Sequence, residues 1–310
     1  MSLNILFAAG SRQWDDYKPH LRRALQQAGI AAELGTDMPA EEVDYIIYAP
    51  SSPLQDFTPY RRARAVLSLW AGVETITGNQ TLKIPLARMV DDGLTTGMVE
   101  WVTGHVMRHH LGMDRDILNR DATWAPRHVP LARERRVTML GLGALGQAAA
   151  AALGGLGFPV TGWSRSEKQV AGIRCLSGEA GLHLALEEAD IAVLLLPDTA
   201  ATQNILDAQA LALMPRGAFI INPGRGPLID DDALIAALDS GQIAHATLDV
   251  FRIEPLPQDH PFWTHPQVTV TPHIAAETRA ATAAEVIVEN IRRSEAGEGL
   301  LHLVDRDLGY

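Results

Sequence analysis

Short runs of consecutive apolar residues alternate along this chain with longer stretches whose apolar positions recur at helical spacing. In the first hundred residues, 5–8, 45–49 and 66–69 have the composition of strands, and 17–28 reads as a helix stopped by Gly29. This strand–helix alternation predicts a mostly parallel sheet covered by helices. An apolar-periodic stretch over 98–112, carried by Val99, Val102 and Val106, predicts a connecting helix. Six further strands are expected at 136–140, 160–163, 191–196, 218–221, 246–249 and 268–271. Helices are expected over 147–153, 231–238 and, less regularly, 202–214, with an Ala-rich final helix over 278–294. Domain boundaries fall near residues 97 and 276.

Directly after the strand at 136–140 stands Gly141-Leu142-Gly143-Ala144-Leu145-Gly146, a G-x-G-x-x-G turn opening an Ala-rich helix. Gly141 allows the tight turn, Gly143 lets the backbone approach a pyrophosphate, and Gly146 lets helix and strand pack closely. The helix N-terminus then offers backbone N–H groups to phosphate oxygens. Six strands with this turn after the first make a doubly wound dinucleotide-binding arrangement. The turn alone also suits a methyltransferase using S-adenosylmethionine, and that alternative stays open at this point.

The end of the following strand selects the cofactor. A carboxylate there would bind the ribose 2′-hydroxyl of NAD. This chain has Trp163-Ser164-Arg165-Ser166 instead, with Ser164 at the usual acidic position and Arg165 beside it. Loss of the carboxylate removes repulsion toward a 2′-phosphate, and a guanidinium can pair with that phosphate bidentately. NADPH is therefore expected as the preferred cofactor, with NADH possible.

Three late residues suggest the chemistry. Arg225 lies in Asn222-Pro223-Gly224-Arg225-Gly226, Glu254 closes the stretch from Asp249, and His273 opens Pro272-His273-Ile274-Ala275. A carboxylate hydrogen-bonded to an imidazole favours its protonated form and aims it as a general acid. A fixed guanidinium binds a substrate carboxylate and stabilises the charge that develops on a reduced carbonyl oxygen. His105 and His109 stand four apart on the expected helix at metal-ligand spacing, but no third ligand motif accompanies them, so no metal is expected. His109-His110 and Asp230-Asp231-Asp232 read as solvated, with Asp230 able to cap the following helix.

Composition narrows the partners. A length of 310 residues suits two domains with a substantial core, and 47% hydrophobic with 20% charged residues is globular. A net charge of -11 argues against nucleic acid or an anionic membrane as the main partner. Cys175 is the single cysteine, which suits a reducing compartment. Residues 3–10 lack a basic lead and read as a strand, and no apolar run approaches the roughly 20 residues of a membrane helix. A cytoplasmic enzyme is expected.

With these residues in hand, the chain resembles the D-isomer-specific 2-hydroxyacid dehydrogenases over nearly its whole length, and within them the bacterial glyoxylate/hydroxypyruvate reductase branch. The resemblance rests on Gly157-Phe158-Pro159 leading to Trp163-Ser164-Arg165, on 231–241 and 248–257, on 269–275, and on Val304-Asp305-Arg306 with Gly309-Tyr310. It implies an α/β fold of two doubly wound Rossmann-like domains with parallel sheets and a cleft between them. The substrate-binding domain would be discontinuous, 1–97 plus 276–310, and the dinucleotide-binding domain would be 98–275. Arg225, Glu254 and His273 would be the catalytic trio. Gly141, Gly143, Ala144, Leu145, Gly146, Ser164, Arg165, Leu196, Pro197 and Asp249 would serve the cofactor, with Asp249 near the nicotinamide carboxamide. Trp70, Gly72 and Val73 would form a substrate loop whose backbone N–H groups hold the carboxylate, beside Arg225.

The resemblance further implies reduction of small 2-oxo acids and a homodimer whose interface includes the helix from about residue 98. Two positions depart from the family pattern. Pro223-Gly224 precedes the Arg where Ala or Ser is commoner, and Trp70 stands where a small residue is usual. A competing expectation on the same fold is a nucleotide-sensing module with little catalysis. The intact trio and the absence of an added basic or disordered tail count against it.

Overall fold

The computed structural model describes residues 2–119, 122–306 and 308–309. The chain divides into two compact units, 1–94 with 277–310, and 95–276. Each is built on one wholly parallel sheet.

In the first unit the strands are β1 (Leu3–Ala8), β2 (Ala32–Gly35), β3 (Tyr45–Tyr48), β4 (Ala65–Ser68) and β5 (Leu86–Ala87), in spatial order β2-β1-β3-β4-β5. Helices α1 (Ser11–Gln27) and α2 (Glu74–Thr77) accompany them, and the late helix α9 (Ala280–Glu295) returns to pack beside α1. Every residue of β3 and β4 is buried. That is the consequence of covering both faces, and it explains why β3 reads as an unbroken apolar run and β4 as one closed only by Ser68. One face packs Ile5, Phe7 and Leu67 against Leu21 of α1 and Ile287 of α9. The other packs Ile46, Tyr48 and Val66 with Phe57, Val73 and Ile76.

The second unit follows α3 (Asp92–Leu111), whose first residues belong to the first unit, and the short α4 (Asp114–Ile117). Its strands are β6 (Val137–Leu140), β7 (Val160–Ser164), β8 (Arg174–Ser177), β9 (Ile191–Leu194), β10 (Ala218–Asn222), β11 (Ile243–Leu248) and β12 (Val268–Val270). Their order is β12-β11-β10-β9-β6-β7-β8. Helices α6 (Gly178–Glu187), α7 (Ala208–Leu213) and α8 (Asp231–Asp239) contribute Leu186, Leu211 and Leu234 to the core on one face. Helices α3 and α5 (Ala144–Gly155) contribute Val102, Val106, Ala149 and Leu153 on the other. Strand order reverses between β6 and β9, the place where doubly wound sheets bind ligands at their carboxyl ends.

The second sheet has seven strands where six were expected. The seventh, β8, carries Arg174 and Cys175 and is nowhere fully buried, so it lacks an apolar run. The expected helix over 202–214 is shorter. Asp207 accepts the Ala210 N–H at 2.9 Å and starts α7 at Ala208, while Thr199–Asn204 is spent on turns closed by the Thr202 hydroxyl. Asp230 does cap α8, accepting the Ala233 N–H at 2.9 Å.

His109 and His110 are buried, not solvated. His109 stacks on Phe219 of β10, and its Nε2 lies 2.9 Å from the Thr247 hydroxyl of β11. His245 of β11 is 5.2 Å from it, ring to ring, with its own Nε2 2.8 Å from Thr269 Oγ1 on β12. Arg108 donates to the same Thr269 hydroxyl and pairs with Asp114 at 2.7 Å. Burial is the main cause that pushes His109 down to about 3 and His245 down to about 4. His105 is lowered too, chiefly by burial. Among the described residues no group of three or more His, Cys, Asp or Glu is placed to hold a metal. His109 instead joins α3 to the sheet, while the His105 ring packs on Trp101 of the same helix.

Candidate active site

The glycine turn occupies the β6–β9 switch point, and its three glycines have separable reasons. Gly141 has φ +110°, and a Cβ there would overlap the Leu195 carbonyl oxygen of the strand end alongside. A Cβ on Gly146 would overlap the carbonyl oxygen of Gly141, so helix α5 can sit this close only without one. Gly143 caps α5 with an ordinary φ of −72°, and a Cβ there would meet nothing within 4 Å. Neither backbone strain nor protein packing accounts for Gly143, whereas close approach of a pyrophosphate at the helix N-terminus would. Ala144 and Leu145 follow in the first turn of α5. Leu196, buried, and Pro197, half-buried, continue from β9 next to Gly141. The residues present therefore fit a dinucleotide.

Ser164 ends β7 as a buried residue, its hydroxyl donating to the Ser166 carbonyl at 2.8 Å, while Arg165 is exposed. Lys168 comes next to this turn from the same loop, with Nζ donating to the Leu142 carbonyl oxygen at 2.8 Å. Sequence reasoning missed it, because four residues into an irregular loop no periodicity says where a side chain points.

Strand β10 delivers Arg225. Asn222, buried at the strand end, accepts the Gly224 N–H at 3.1 Å and donates to the Arg225 carbonyl at 2.9 Å, which fixes the turn. A Cβ on Gly224 would stand 2.8 Å from Leu194 O, and one on Gly226 would overlap the Phe251 backbone. The glycines on both sides of Arg225 are thus required by close backbone packing, and the segment carrying Arg225 lies directly against the loop carrying Glu254. Arg225 itself is half-buried, with Nη1 donating to Gly224 O at 2.6 Å.

Glu254 Oε1 accepts the Phe251 N–H at 2.9 Å, and Oε2 lies 2.7 Å from His273 Nδ1. His273 has φ +53°, a left-handed conformation rarely adopted by a non-glycine residue. Such a conformation costs on the order of 1–3 kcal/mol and persists only where its surroundings impose it. Asp249 does so. It is fully buried, its Oδ1 accepting the Thr271 hydroxyl at 2.6 Å and the Ile274 N–H at 2.9 Å, and its Oδ2 accepting the Ala275 N–H at 2.8 Å. Its carbonyl oxygen takes the His273 N–H at 2.9 Å. Both carboxylate oxygens are spent on the histidine turn, a role the sequence did not suggest.

Arg225, Asp249, Glu254 and His273 all belong to the second unit, with the glycine turn. Trp70, Gly72 and Val73 belong to the first, on the loop that leaves the carboxyl end of β4. Ser68 Oγ accepts the Trp70 N–H at 3.1 Å, and Trp70 O accepts the Met89 N–H at 3.0 Å. Val73 is buried beneath the loop while the Trp70 ring is largely exposed.

The family model described as D-isomer specific 2-hydroxyacid dehydrogenase, NAD binding domain, matches residues 102–275. The glyoxylate/hydroxypyruvate reductase A of Serratia proteamaculans is 36% identical over 99% of this chain and 100% of its own length. A D-isomer specific 2-hydroxyacid dehydrogenase from Xanthobacter autotrophicus, solved in complex with NADPH and MES, superposes with a TM-score of 0.93 at 38% identity, each chain covered in full. An NADPH-dependent glyoxylate/hydroxypyruvate reductase from Sinorhizobium meliloti, solved with NADP and sulfate, gives 0.85 at 32%, again over the whole of both chains. With a parallel doubly wound sheet, a glycine turn at its switch point and an Arg, Glu and His at the neighbouring strand ends, the chain belongs to the D-isomer specific 2-hydroxyacid dehydrogenase family.

Proposed function

We propose that this protein is an NADPH-preferring reductase of small 2-oxo acids, with glyoxylate and hydroxypyruvate as the leading substrates. The observation that carries the chemistry is the 2.7 Å pair between Glu254 and His273, held in a conformation that only a specific turn would impose. Arg225 binds the substrate carboxylate and polarises its carbonyl. With Nδ1 engaged by Glu254, His273 delivers its proton from Nε2 to the carbonyl oxygen as that oxygen gains charge. The nicotinamide cofactor, when bound, supplies the hydride to the carbonyl carbon. Asp249 keeps the histidine turn in place, and backbone N–H groups of Gly72 and Val73 bind the substrate carboxylate beside Trp70.

Cofactor selection falls to Ser164, Arg165 and Lys168. A hydroxyl replaces the carboxylate that would repel a 2′-phosphate, and two cations lie on the loop beside it. The NADPH and NADP found in the relatives' structures support this reading. The protein is further proposed to act in the cytoplasm as a homodimer. No helix among the described residues is long and apolar enough to cross a membrane. Ile117, Leu118, Trp124 and Leu131 stand exposed in the stretch after α3, with Trp124 93% exposed, and this apolar surface is the one proposed for self-association.

Initial rates of NADPH and NADH oxidation with glyoxylate, for the natural protein and H273A, test the core of this reading. Rapid NADPH turnover that falls roughly 10²–10⁴-fold in the variant is expected of a general acid. Near-natural turnover in H273A would remove the histidine from the mechanism. Faster turnover with NADH would keep the chemistry and discard the cofactor assignment. NADPH binding without turnover on any 2-oxo acid would favour the sensing module.

A further inference from the structure

Glu254 stands on an irregular, exposed loop between β11 and the short turn at Pro261–Trp263. A carboxylate on such a loop keeps a 2.7 Å pair only if the loop itself is anchored. Its own contact with the Phe251 N–H holds the side chain to the loop and does not hold the loop to the sheet.

Arg252 supplies that anchor. Its Nη2 donates both to Asn204 Oδ1 and to the Ile229 carbonyl oxygen, and its Nε lies 3.6 Å from Asp231 Oδ1. These acceptors come from three segments: the turn before α7, the chain leading out of the Arg225 segment, and the first turn of α8. They are themselves tied together, since the Asn204 N–H donates to Pro227 O at 2.8 Å. Asp231 is approached from the other end of the loop by His260 Nε2 at 3.7 Å. Arg252 and His260 therefore straddle Glu254 in sequence and converge on one half-buried carboxylate. Burial raises the Asp231 carboxyl above the usual range, with Arg252 and His260 opposing.

The anchored segment is the one that carries Arg225. Gly226 packs so tightly on Phe251 that a methyl group would overlap its backbone, and three residues later Ile229 accepts from Arg252. A slip of this loop along its neighbour would move Glu254 relative to Arg225 and away from His273, whose turn Asp249 holds in place.

We infer that Arg252 is a positioning residue that sets the register between the substrate-binding Arg225 and the Glu254–His273 acid pair. This rests on the mechanism proposed above. Arg252 touches none of the three side chains and acts through the backbone on either side of it. Among the described residues Glu254 is the one carboxylate within ion-pair distance of His273. Asp249, the other charge of that turn, is consumed by Thr271 and two backbone N–H groups.

The test compares R252M, R252K and N204A with the natural protein and H273A. It uses steady-state kinetics on glyoxylate, direct NADPH titration, and NMR of 15N-histidine-labelled protein through pH 5–9. A displacement of about 1 Å in a reacting group costs up to about 10²-fold. R252M should therefore lose roughly 10–100-fold in kcat with its NADPH Kd within about 2-fold. R252K, which reaches fewer acceptors, and N204A, which removes one, should fall between. The His273 Nδ1 resonance in R252M should shift as the 2.7 Å contact with Glu254 is lost. An R252M protein with natural kcat and an unmoved His273 Nδ1 resonance overturns the inference. So does a parallel loss of NADPH affinity in all three variants, which would mark a merely structural role. If R252M does not fold, R252K and N204A decide by the same criteria. Full activity in H273A would instead overturn the mechanism, and the His273 Nδ1 resonance would still report whether Arg252 holds the pair.

Discussion

Acidification should destabilise the second unit through the histidines that join α3 to its sheet. His109 and His245 lie at about 3 and about 4 in the folded protein, lowered first by burial. His109 is further lowered by His245, Arg108 and His105, and His245 by Arg108, His265 and His105, with Asp114 opposing in both cases. Unfolded, each titrates near 6.5. Between those values the unfolded chain holds protons that the folded one refuses, so stability rises with pH across the window and is lost as pH falls below about 6.5. At pH 5 both rings are still neutral in the folded state. The loss is then set by the unfolded value alone and does not depend on how far below 5 each folded value lies. From pH 7 to 5 each histidine costs about 1.5 units at 1.36 kcal/mol, or about 2 kcal/mol, and the two together about 4 kcal/mol. That is a large part of the roughly 5–15 kcal/mol that keeps a typical protein folded.

Urea unfolding followed by circular dichroism at pH 7 and pH 5 measures the loss. H109Q isolates it, because a glutamine can still reach the Thr247 hydroxyl but cannot titrate. Carboxylates and other groups contribute equally to both proteins and cancel. H109Q should lose about 2 kcal/mol less than the natural protein over the same interval. Equal losses, within about 0.5 kcal/mol, would refute the reasoning and mean that the ring accepts a proton without leaving its place.

Further outcomes follow from the glycine turn, the loop after β7 and the exposed stretch around Trp124. G143A should unfold like the natural protein yet bind NADPH poorly, since its methyl group meets only the space a pyrophosphate needs. G146A should lose thermal stability, because its Cβ overlaps Gly141 O; differential scanning calorimetry beside NADPH titration separates the two, and equal behaviour would undo the assignment. The double variant R165A/K168A should raise the NADPH KM roughly 10–100-fold, as expected for lost charge-assisted hydrogen bonds, and leave NADH within about 3-fold. W124E should shift sedimentation from dimer to monomer at micromolar concentration, whereas an unchanged profile would place any self-association elsewhere.

What the sequence disclosed follows what burial writes into it. Strands covered on both faces, such as β3 and β9, are uninterrupted apolar runs, and the glycine turn after β6 is legible because close backbone packing dictates residue type. Edge strands β2 and β8 were not legible, since half-exposed positions accept Glu33 and Arg174 without penalty. Helix α1 begins at Ser11 although residues 17–28 carried the expectation, and Pro19 lies inside it. Arg225, Glu254 and His273 stood out because few structural reasons place those types beside Gly and Pro. Asp249, Lys168 and Arg252 act through partners between 22 and 48 residues away or across an irregular loop, which no local pattern encodes. His109 and His110 misled for a related reason: Thr247 and Phe219, which receive His109, lie on strands far along the chain, and Phe158, which receives His110, lies just before β7.

The return of α9 to the first unit has a consequence for how the chain is made. Ala283, Ala284, Ile287, Val288 and Ile291 complete a core whose other half is β1, β3, β4 and α1. Tyr45 is pinned to Glu295 at 2.6 Å, and Arg306 donates to the carbonyl oxygens of Thr77, Asn79 and Leu82. During synthesis at about 5–20 residues per second, roughly 10–40 s separate the emergence of the first sheet from that of the helix that covers it. The second unit, continuous over 95–276, can fold within that interval while the first waits with one apolar face bare. The nascent chain can thus complete its second unit before its first, and the waiting sheet is where a chaperone would take hold.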